Sequence, residues 1–400
     1  MPAYGCVGRQ RSTRPCSICA CGPVLKNGYR NGRIRYRCAT CGQDPHRLSA
    51  GRPDITDTAV LTRFLEYVTG TSTQAHMTGT SLRTQRRDWQ WCWSIPTPQV
   101  EPTGEVYSQV FIDGIYLPYG WCLLIARSQS HVVTWQWTTR ETKAAYMALL
   151  DQIAPPCLVT TDGAGGALKA LHDLWPDTPV QRCLVHVHRN NLRDLTHRPA
   201  TPAGKALYGL SIRLLKVKTR QEAAAWSGLL VQLHTQYQAY FTERTWARDV
   251  PASQRREGRT WWYTHERDRR VYHRLARLQQ EGSLFAFLDF DPPQERTTNP
   301  VESINSRIRA LTYAHRGMTE THMQAMINWY LHSTTENPQS ASHILREWNT
   351  AGRPQRRTIP KRKTKAKLKP TVGDMPVHYD TALTKEEGLW PRKGWAGRSH

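Results

Sequence analysis

Residues 106–113 (VYSQVFID), 119–127 (YGWCLLIAR) and 131–137 (HVVTWQW) are three short runs that are rich in β-branched and aromatic side chains. Turn-like segments separate them, so the pattern predicts three consecutive β-strands. A helix-patterned stretch at 143–153 and an apolar strand at 157–161 follow, after which helix and strand alternate. This order predicts an α/β fold with a mixed sheet that is flanked by helices.

The net positive charge of the chain indicates which class of partner it binds. The 400 residues include 55 Lys or Arg against 32 Asp or Glu, which gives a formal charge of +23. Such an excess is typical of proteins that bind nucleic acid, because Lys and Arg displace counterions from the phosphate backbone. No run reaches the ~18 apolar residues of a membrane span, and no apolar signal-peptide core stands at the start. We therefore expect no membrane partner and a cytoplasmic location.

A zinc ribbon is predicted for residues 1–50. Reduced thiols in two C-x2-C pairs, with eighteen residues between the pairs, are typical ligands of one structural Zn²⁺ on a β-hairpin. The four ligands are Cys16, Cys19, Cys38 and Cys41. Cys21 competes with Cys19 as a ligand, and the sequence leaves this choice open. Four unrelated buried thiols are an alternative that fits the spacing poorly.

Residues 51–98 alternate helical patterns with Gly-Thr breaks, which favours a helix-turn-helix of short helices. Thr80 or Ser81 can cap the last helix. The start of that helix carries the arginines that would meet DNA: Arg83, Arg86 and Arg87. The alternative is an ordinary solvated helix face.

Residues 199–295 show helical spacing without a strand pattern, so we expect an all-helical insertion. Within it, residues 244–277 hold ten Arg and four acids around several aromatic residues. Arginine interleaved with aromatic rings suits phosphate contact combined with base stacking. We predict that Trp261 or Trp262 stacks on an unpaired base, whereas tryptophans packed in a helical core are the alternative.

The C-terminal segment, residues 336–400, is expected to be a basic and disordered tail. Its stretch 350–370 holds nine Lys or Arg and no acid, so like charges repel and few apolar residues can be buried. Such an arm could lie along a phosphate backbone or only increase solubility.

Three carboxylates stand at positions that suggest chemistry. Asp113 is predicted to end the first strand, and Asp162 ends the strand CLVTTD before the residues GAGG. Glu302 lies on a helix that Asn299 can cap, with a buried stripe and an opposite polar face. The stripe is Val301, Ile304, Ile308 and Leu311. The polar face includes Asn305 and Arg309, which we expect to contact DNA. Turn formers and a capping-box glutamate are the alternatives.

Taken together, two strand-end aspartates and one helix-borne glutamate in a mixed sheet can converge on divalent metal. Two Mg²⁺ ions, or Mn²⁺ in their place, would then support in-line displacement at phosphorus. This chemistry is typical of a nuclease or a phosphoryl transferase.

Four motifs carry a resemblance: FIDG with Asp113, TTDGAGG with Asp162, QRCLVHVHRNN, and TNPVESINSRIR with Glu302. In this order, after a C-x2-C front end, they resemble bacterial insertion-sequence transposases of the mutator-like superfamily. The resemblance implies an RNase H-like core in two parts, 105–198 and 296–335, on either side of the insertion. It also implies that the three acids bind the catalytic metals, and that Cys183 and His186 support the site near the second Asp.

The implied function is binding of terminal inverted repeats, followed by metal-dependent DNA cleavage and strand transfer. The implied partners are double-stranded DNA, from the transposon ends and from the target, and further copies of the chain in a dimer or larger assembly at the bacterial nucleoid. Two alternatives stay open: a host-retained DNA-binding regulator without catalysis, and an RNase H-like nuclease.

Overall fold

The computed structural model describes residues 12–15, 23–30, 33–40, 42, 53–77, 81–100 and 104–352. Near the N-terminus, β1 (Ser12–Pro15), β2 (Pro23–Arg30) and β3 (Arg33–Cys38) form an antiparallel sheet. Cys38 is buried at the end of β3. The other proposed zinc ligands, Cys16, Cys19 and Cys41, lie outside the described residues, as does Cys21. The zinc ribbon therefore stays a prediction.

Helix α1 (Pro53–Thr69) and helix α2 (Leu82–Trp89) follow, with a 3-10 turn at Gln74–His76 between them. Ser81 caps α2, since its hydroxyl accepts a hydrogen bond from the main-chain N–H of Thr84 at 3.3 Å. Apolar side chains of both helices belong to the same core as the buried stripe of the Glu302 helix. This segment is thus packed onto the sheet domain, while its role as a helix-turn-helix stays a prediction.

Five strands form the central sheet: β4 (Val110–Tyr116), β5 (Cys122–Arg127), β6 (Val132–Thr138), β7 (Val159–Thr161) and β8 (Val180–Arg182). Their order is β6-β5-β4-β7-β8. The first three strands pair antiparallel, and β4, β7 and β8 pair parallel. The predicted mixed sheet is confirmed, and its arrangement is compatible with an RNase H-like core.

Helices cover both faces of the sheet because alternate residues of β4 are buried on opposite sides. Val110 and Ile112 pack against α3 (Lys143–Leu150) and α4 (Gly165–Leu174). Phe111 packs on the other face, in the core that includes the Glu302 helix. Helix α5 (Leu184–Leu195) follows β8.

The insertion contains α6 (Pro202–Leu214), α7 (Arg220–Thr242) and α8 (Glu266–Gln280). It also contains a two-stranded antiparallel sheet of β9 (Arg244–Trp246) and β10 (Trp261–Tyr263). The expectation of an all-helical insertion is therefore wrong. The two strands are short, but they place aromatic and β-branched residues opposite one another, which stabilises strand pairing.

Three helices complete the described chain: α9 (Asn299–Ala314), α10 (Glu320–Ser333) and α11 (Ala341–Thr350). Helix α11 lies within the predicted disordered tail, and its Ile344 and Leu345 are buried. The expectation of disorder is wrong for this helix, since its apolar residues pack into the main core. Residues 353–400 lie outside the described part. None of the described helices is long and apolar enough to cross a membrane.

Candidate active site

Asp113 and Asp162 lie on neighbouring parallel strands. Ile112 on β4 pairs with Thr161 on β7, so the two aspartates that follow these residues are neighbours, and the charge of Asp162 acts on Asp113. Asp162 directly follows β7, as predicted. Asp113 lies in the middle of β4 and not at its end, because β4 continues in register with β5 as far as Tyr116.

The electrostatic setting of Asp113 favours its neutral form. Burial raises the pKa of Asp113 to about 7, and the charges of Asp162 and Glu302 act in the same direction, against a hydrogen bond from the Gly114 N–H and the charge of His186. Among the described residues, neither Asp113 nor Asp162 has a Lys, Arg or His nitrogen within 4.0 Å. Within the described part of the chain these two carboxylates therefore make no direct ion pair, although the charge of His186 acts on Asp113 and Arg182 interacts with Asp162.

Asn305 makes a direct contact with Asp113. Its Nδ2 donates a hydrogen bond to Asp113 Oδ2 at 2.7 Å. Asn305 is 1% exposed, and its Oδ1 is buried without a hydrogen-bond partner. The sequence assigned Asn305 to DNA contact, but its burial leaves no surface for DNA. Arg309, from the same predicted polar face, is exposed.

Glu302 lies in the first turns of α9 and points to α5. Its carboxylate accepts a hydrogen bond from Thr298 Oγ1 at 2.9 Å, and it lies 3.7 Å from His186 Nδ1 and 3.9 Å from Arg189 Nη1. The predicted stripe that begins at Val301 is buried. The helix begins one residue earlier than expected, with Thr298 as N-cap and no side-chain capping bond. The capping-box alternative for Glu302 is therefore wrong.

Cys183 and His186 form a compact group with Glu302. One ligand atom of each residue lies within 4.8 Å of the other two. Burial opposes ionisation of Cys183, but hydrogen bonds from His186 and Thr298 outweigh it and lower the pKa of the thiol. The bond to Cys183 raises the pKa of His186, and the charge of Glu302 adds to that effect against burial. The structure thus places this pair beside Glu302.

The three predicted acids share one region but do not form a single tight cluster. The charges of Asp162 and Glu302 both act on Asp113. Among the described residues, however, the only set of three potential ligands within 4.8 Å of one another is the one built from Cys183, His186 and Glu302. The side-chain contacts of Glu302 described above account for this, since they hold its carboxylate toward α5.

Glu141 is a fourth carboxylate that the sequence analysis missed. It precedes α3, and a Cβ placed on Gly114 would lie 2.7 Å from its Oε1, so Glu141 covers the residue that follows Asp113. Tyr146 Oη donates a hydrogen bond to Glu141 Oε2 at 3.1 Å. Burial and the charge of Asp162 raise the pKa of Glu141 against this bond. No spacing pattern marks this glutamate, because its position depends on how a loop crosses the sheet.

The glycine-rich segment after Asp162 has a structural reason for its first glycine. Gly163 has φ +91°, and a Cβ there would overlap the guanidinium of Arg182. Arg182 Nη2 donates a hydrogen bond to the main-chain oxygen of Asp162 at 2.8 Å, and the Ala164 N–H donates to Asp162 Oδ1 at 2.9 Å. These bonds fix the turn that presents the Asp162 carboxylate.

The residues predicted to bind DNA are placed unequally. Three arginines are exposed on α2 and available to a partner: Arg83, Arg86 and Arg87. Trp262 is only 8% exposed, so its ring has no free face for a base, and the stacking prediction is wrong for this residue. Trp261 is partly buried, with the Arg244 guanidinium 4.2 Å from its ring centroid. Trp246, which pairs with Trp261 across the strands, is 39% exposed.

Comparison with known proteins adds one relationship. No protein-family profile matches the chain. Over 100 residues the chain is 33% identical to the transposase for insertion sequence element IS905 of Lactococcus lactis subsp. lactis strain IL1403. The match covers 21% of this chain and 26% of that relative, so it spans about a quarter of the transposase. This similarity supports a relationship between the chain and transposases.

Proposed function

We propose that the protein is a DDE transposase of the mutator-like superfamily that cuts and joins DNA at the ends of an insertion sequence. The observation that carries the proposal is the pair of neighbouring carboxylates, Asp113 and Asp162, which make no direct ion pair with a Lys, Arg or His among the described residues. Glu302 lies close enough for its charge to act on Asp113. The partial match to an insertion-sequence transposase supports the same reaction class.

The donor atoms fit a hard divalent cation. Carboxylate and amide oxygens are the ligands that Mg²⁺ prefers, and the buried Oδ1 of Asn305 is an oxygen without a partner beside Asp113. Asp113 and Asp162 would hold the metal, and Glu302 would join them on the DNA-bound protein. When bound, two Mg²⁺ or Mn²⁺ ions would activate an attacking oxygen and stabilise the leaving oxygen at phosphorus.

The residues of the chain would prepare this site in distinct ways. Asn305 and the turn held by Arg182 orient the two aspartates. Thr298 and His186 hold the Glu302 carboxylate. Glu141 adds negative charge next to Asp162 and so increases attraction for a cation.

DNA binding is proposed for the basic surfaces outside the sheet. The exposed arginines of α2 would contact the terminal repeat together with a ribbon that holds one structural Zn²⁺. Affinity should fall steeply with salt, because many phosphates are neutralised. Two transposon ends and a target require two active sites in one complex, so the working form would be a dimer or a larger assembly at the bacterial nucleoid.

A cleavage assay tests the proposal. The full chain is incubated with DNA that carries the flanks of its own gene, with Mg²⁺ and a target plasmid. We expect cuts at the element ends and products joined to the plasmid, and neither with EDTA. An Asp162→Ala variant should bind the same DNA but give no joined product. Joining by Asp162→Ala would refute the assignment, and binding without any cleavage by the natural chain would favour the host-retained regulator.

A further inference from the structure

Asn305 connects the two elements that carry the first and third acids of the proposed site. It lies three residues after Glu302 on α9, which is about one helical turn. Its side chain crosses to β4 and reaches Asp113 Oδ2 at 2.7 Å. The orientation of the Asp113 carboxylate and the position of the Glu302 helix are therefore linked through one amide group.

The amide is only half satisfied. Its nitrogen donates to Asp113, whereas its oxygen is buried with no partner, and Asn305 as a whole is 1% exposed. A buried acceptor without a hydrogen bond destabilises the fold. Because Oδ1 and Nδ2 share one carbon atom, this unpartnered oxygen also lies beside Asp113. A ligand of the site would supply the missing interaction.

We infer that Asn305 is a positioning residue of the metal site: its nitrogen fixes the Asp113 carboxylate relative to Glu302, and its oxygen receives the bound cation or a water molecule of that cation. The inference rests on the proposed function. It assigns Asn305 to the metal site and not to DNA.

The rival explanation is that the hydrogen bond from Asn305 only holds α9 against β4. The structural role and the positioning role differ in one measurable consequence. A purely structural hydrogen bond affects the stability of the fold alone, whereas a positioning residue also sets the affinity of the site for a cation in the folded protein. Residues that orient metal ligands change affinity or activity by about 10- to 100-fold when they are replaced.

Asn328 offers a matched control. It is a partly buried asparagine on the neighbouring helix α10, and its Oδ1 accepts hydrogen bonds from Trp135 Nε1 at 3.0 Å and Trp137 Nε1 at 2.8 Å. None of these contacts involves the acids of the site. Asn328→Ala should therefore lower stability without a change in cation binding.

The experiment is a Mn²⁺ titration of the full chain without DNA, followed by electron paramagnetic resonance of the free ion. Asp113→Asn should abolish Mn²⁺ binding at the proposed site. Asn305→Ala should weaken Mn²⁺ binding at that same site by about 10-fold or more. Asn328→Ala should bind Mn²⁺ as the natural chain does. Asn305→Leu keeps the volume of the side chain and provides the same test if the alanine variant does not fold; thermal unfolding identifies the folded variants.

Unchanged Mn²⁺ binding in a folded Asn305 variant would overturn the inference and leave the proposed function intact. If Asp113→Asn also bound Mn²⁺ as the natural chain does, the proposed metal site itself would fail. Cleavage kinetics add a second reading: the Mg²⁺ concentration for half-maximal rate should rise in Asn305→Ala, and DNA affinity should not change.

Discussion

Asp113 on β4 and Asp194 on α5 are both largely withdrawn from water, but their surroundings are opposite. Asp194 accepts hydrogen bonds from Arg270 at 2.9 Å and from Arg274 at 2.7 Å, so its charge is balanced within the fold. Asp113 makes no ion pair among the described residues: its donors are neutral, the Asn305 side chain and the Gly114 N–H, and the charges of Asp162 and Glu302 repel it. A buried acid that is paired with arginines is neutralised within the fold, whereas an acid without such pairs takes up a proton or a cation from solution.

The largest expected effect separates these two acids. Asp113→Asn should reduce cleavage at least about 1000-fold, or about 4 kcal/mol of barrier, because the donor set of the metal site is broken. Its thermal stability should hold or rise, since a repelled charge is removed. Asp194→Asn should instead cost about 2 kcal/mol of stability and retain cleavage per folded molecule. Cleavage rates and denaturant unfolding of both variants check the contrast, and a reversed pattern would break it.

Replacement of Glu141 tests whether this residue belongs to the same site as Asp113 and Asp162. Glu141→Gln keeps the shape of the side chain and removes its charge, so the Mg²⁺ concentration for half-maximal cleavage should rise about 10-fold. Glu257, an exposed acid in the insertion, provides the control, and Glu257→Gln should leave that concentration unchanged. Equal behaviour of the two variants would remove Glu141 from the site.

The stability of the metal-free protein should depend on pH through Asp113. The pKa of Asp113 is about 7 in the folded chain, against an ordinary value of 3.8. The folded state thus binds a proton more tightly, and stability falls as the pH rises from about 4 to about 7, with a loss on the order of 4 kcal/mol that is complete above pH 7. Asp113→Asn should lack this fall. Denaturant unfolding at several pH values in EDTA measures it, and identical curves for both proteins would contradict the assignment.

The smallest expected effect is a change in DNA affinity, and it distinguishes two tryptophans of the insertion. Trp246 is exposed, with the Arg248 guanidinium 5.3 Å from its ring, so Trp246→Ala should weaken binding of end DNA about fivefold by loss of stacking. Trp262 is buried, and Trp262→Ala should mainly destabilise the fold, by about 3 kcal/mol. Equilibrium binding and thermal unfolding distinguish the two; loss of DNA affinity confined to Trp262→Ala would restore the sequence-based expectation.

The strands of the sheet could be predicted because the sequence pattern of a strand depends only on residues close together in the chain. Strand patterns depend on neighbouring residues, so the alternation around Phe111 and Ile112 indicates a strand without knowledge of its partners. The strand ends were less accurate, since pairing with β5 extends β4 beyond Asp113. The pair β9–β10 escaped prediction because three-residue strands are too short for a period to be visible.

Residues of the candidate site could be located from the sequence only where a residue type is unusual at its position. Asp162 at a strand end and Glu302 on an amphipathic helix could be found in this way. Glu141 and the contact between Asn305 and Asp113 could not, because both depend on the crossing of elements that are distant in the chain. Burial of Asn305 follows from packing of α9 on the sheet, whereas helical spacing alone placed it on the polar face.

Iron-directed cleavage of the polypeptide tests the central claim most directly. Fe²⁺ replaces Mg²⁺ in the full chain, and hydroxyl radicals generated with ascorbate and peroxide cut the backbone near the bound ion. The account predicts cuts close to Asp113 and Asp162 that excess Mg²⁺ suppresses and that Asp113→Asn lacks, with Asp194→Asn cut as the natural chain is. Absence of cuts at both aspartates, under conditions in which the protein is folded, would contradict it.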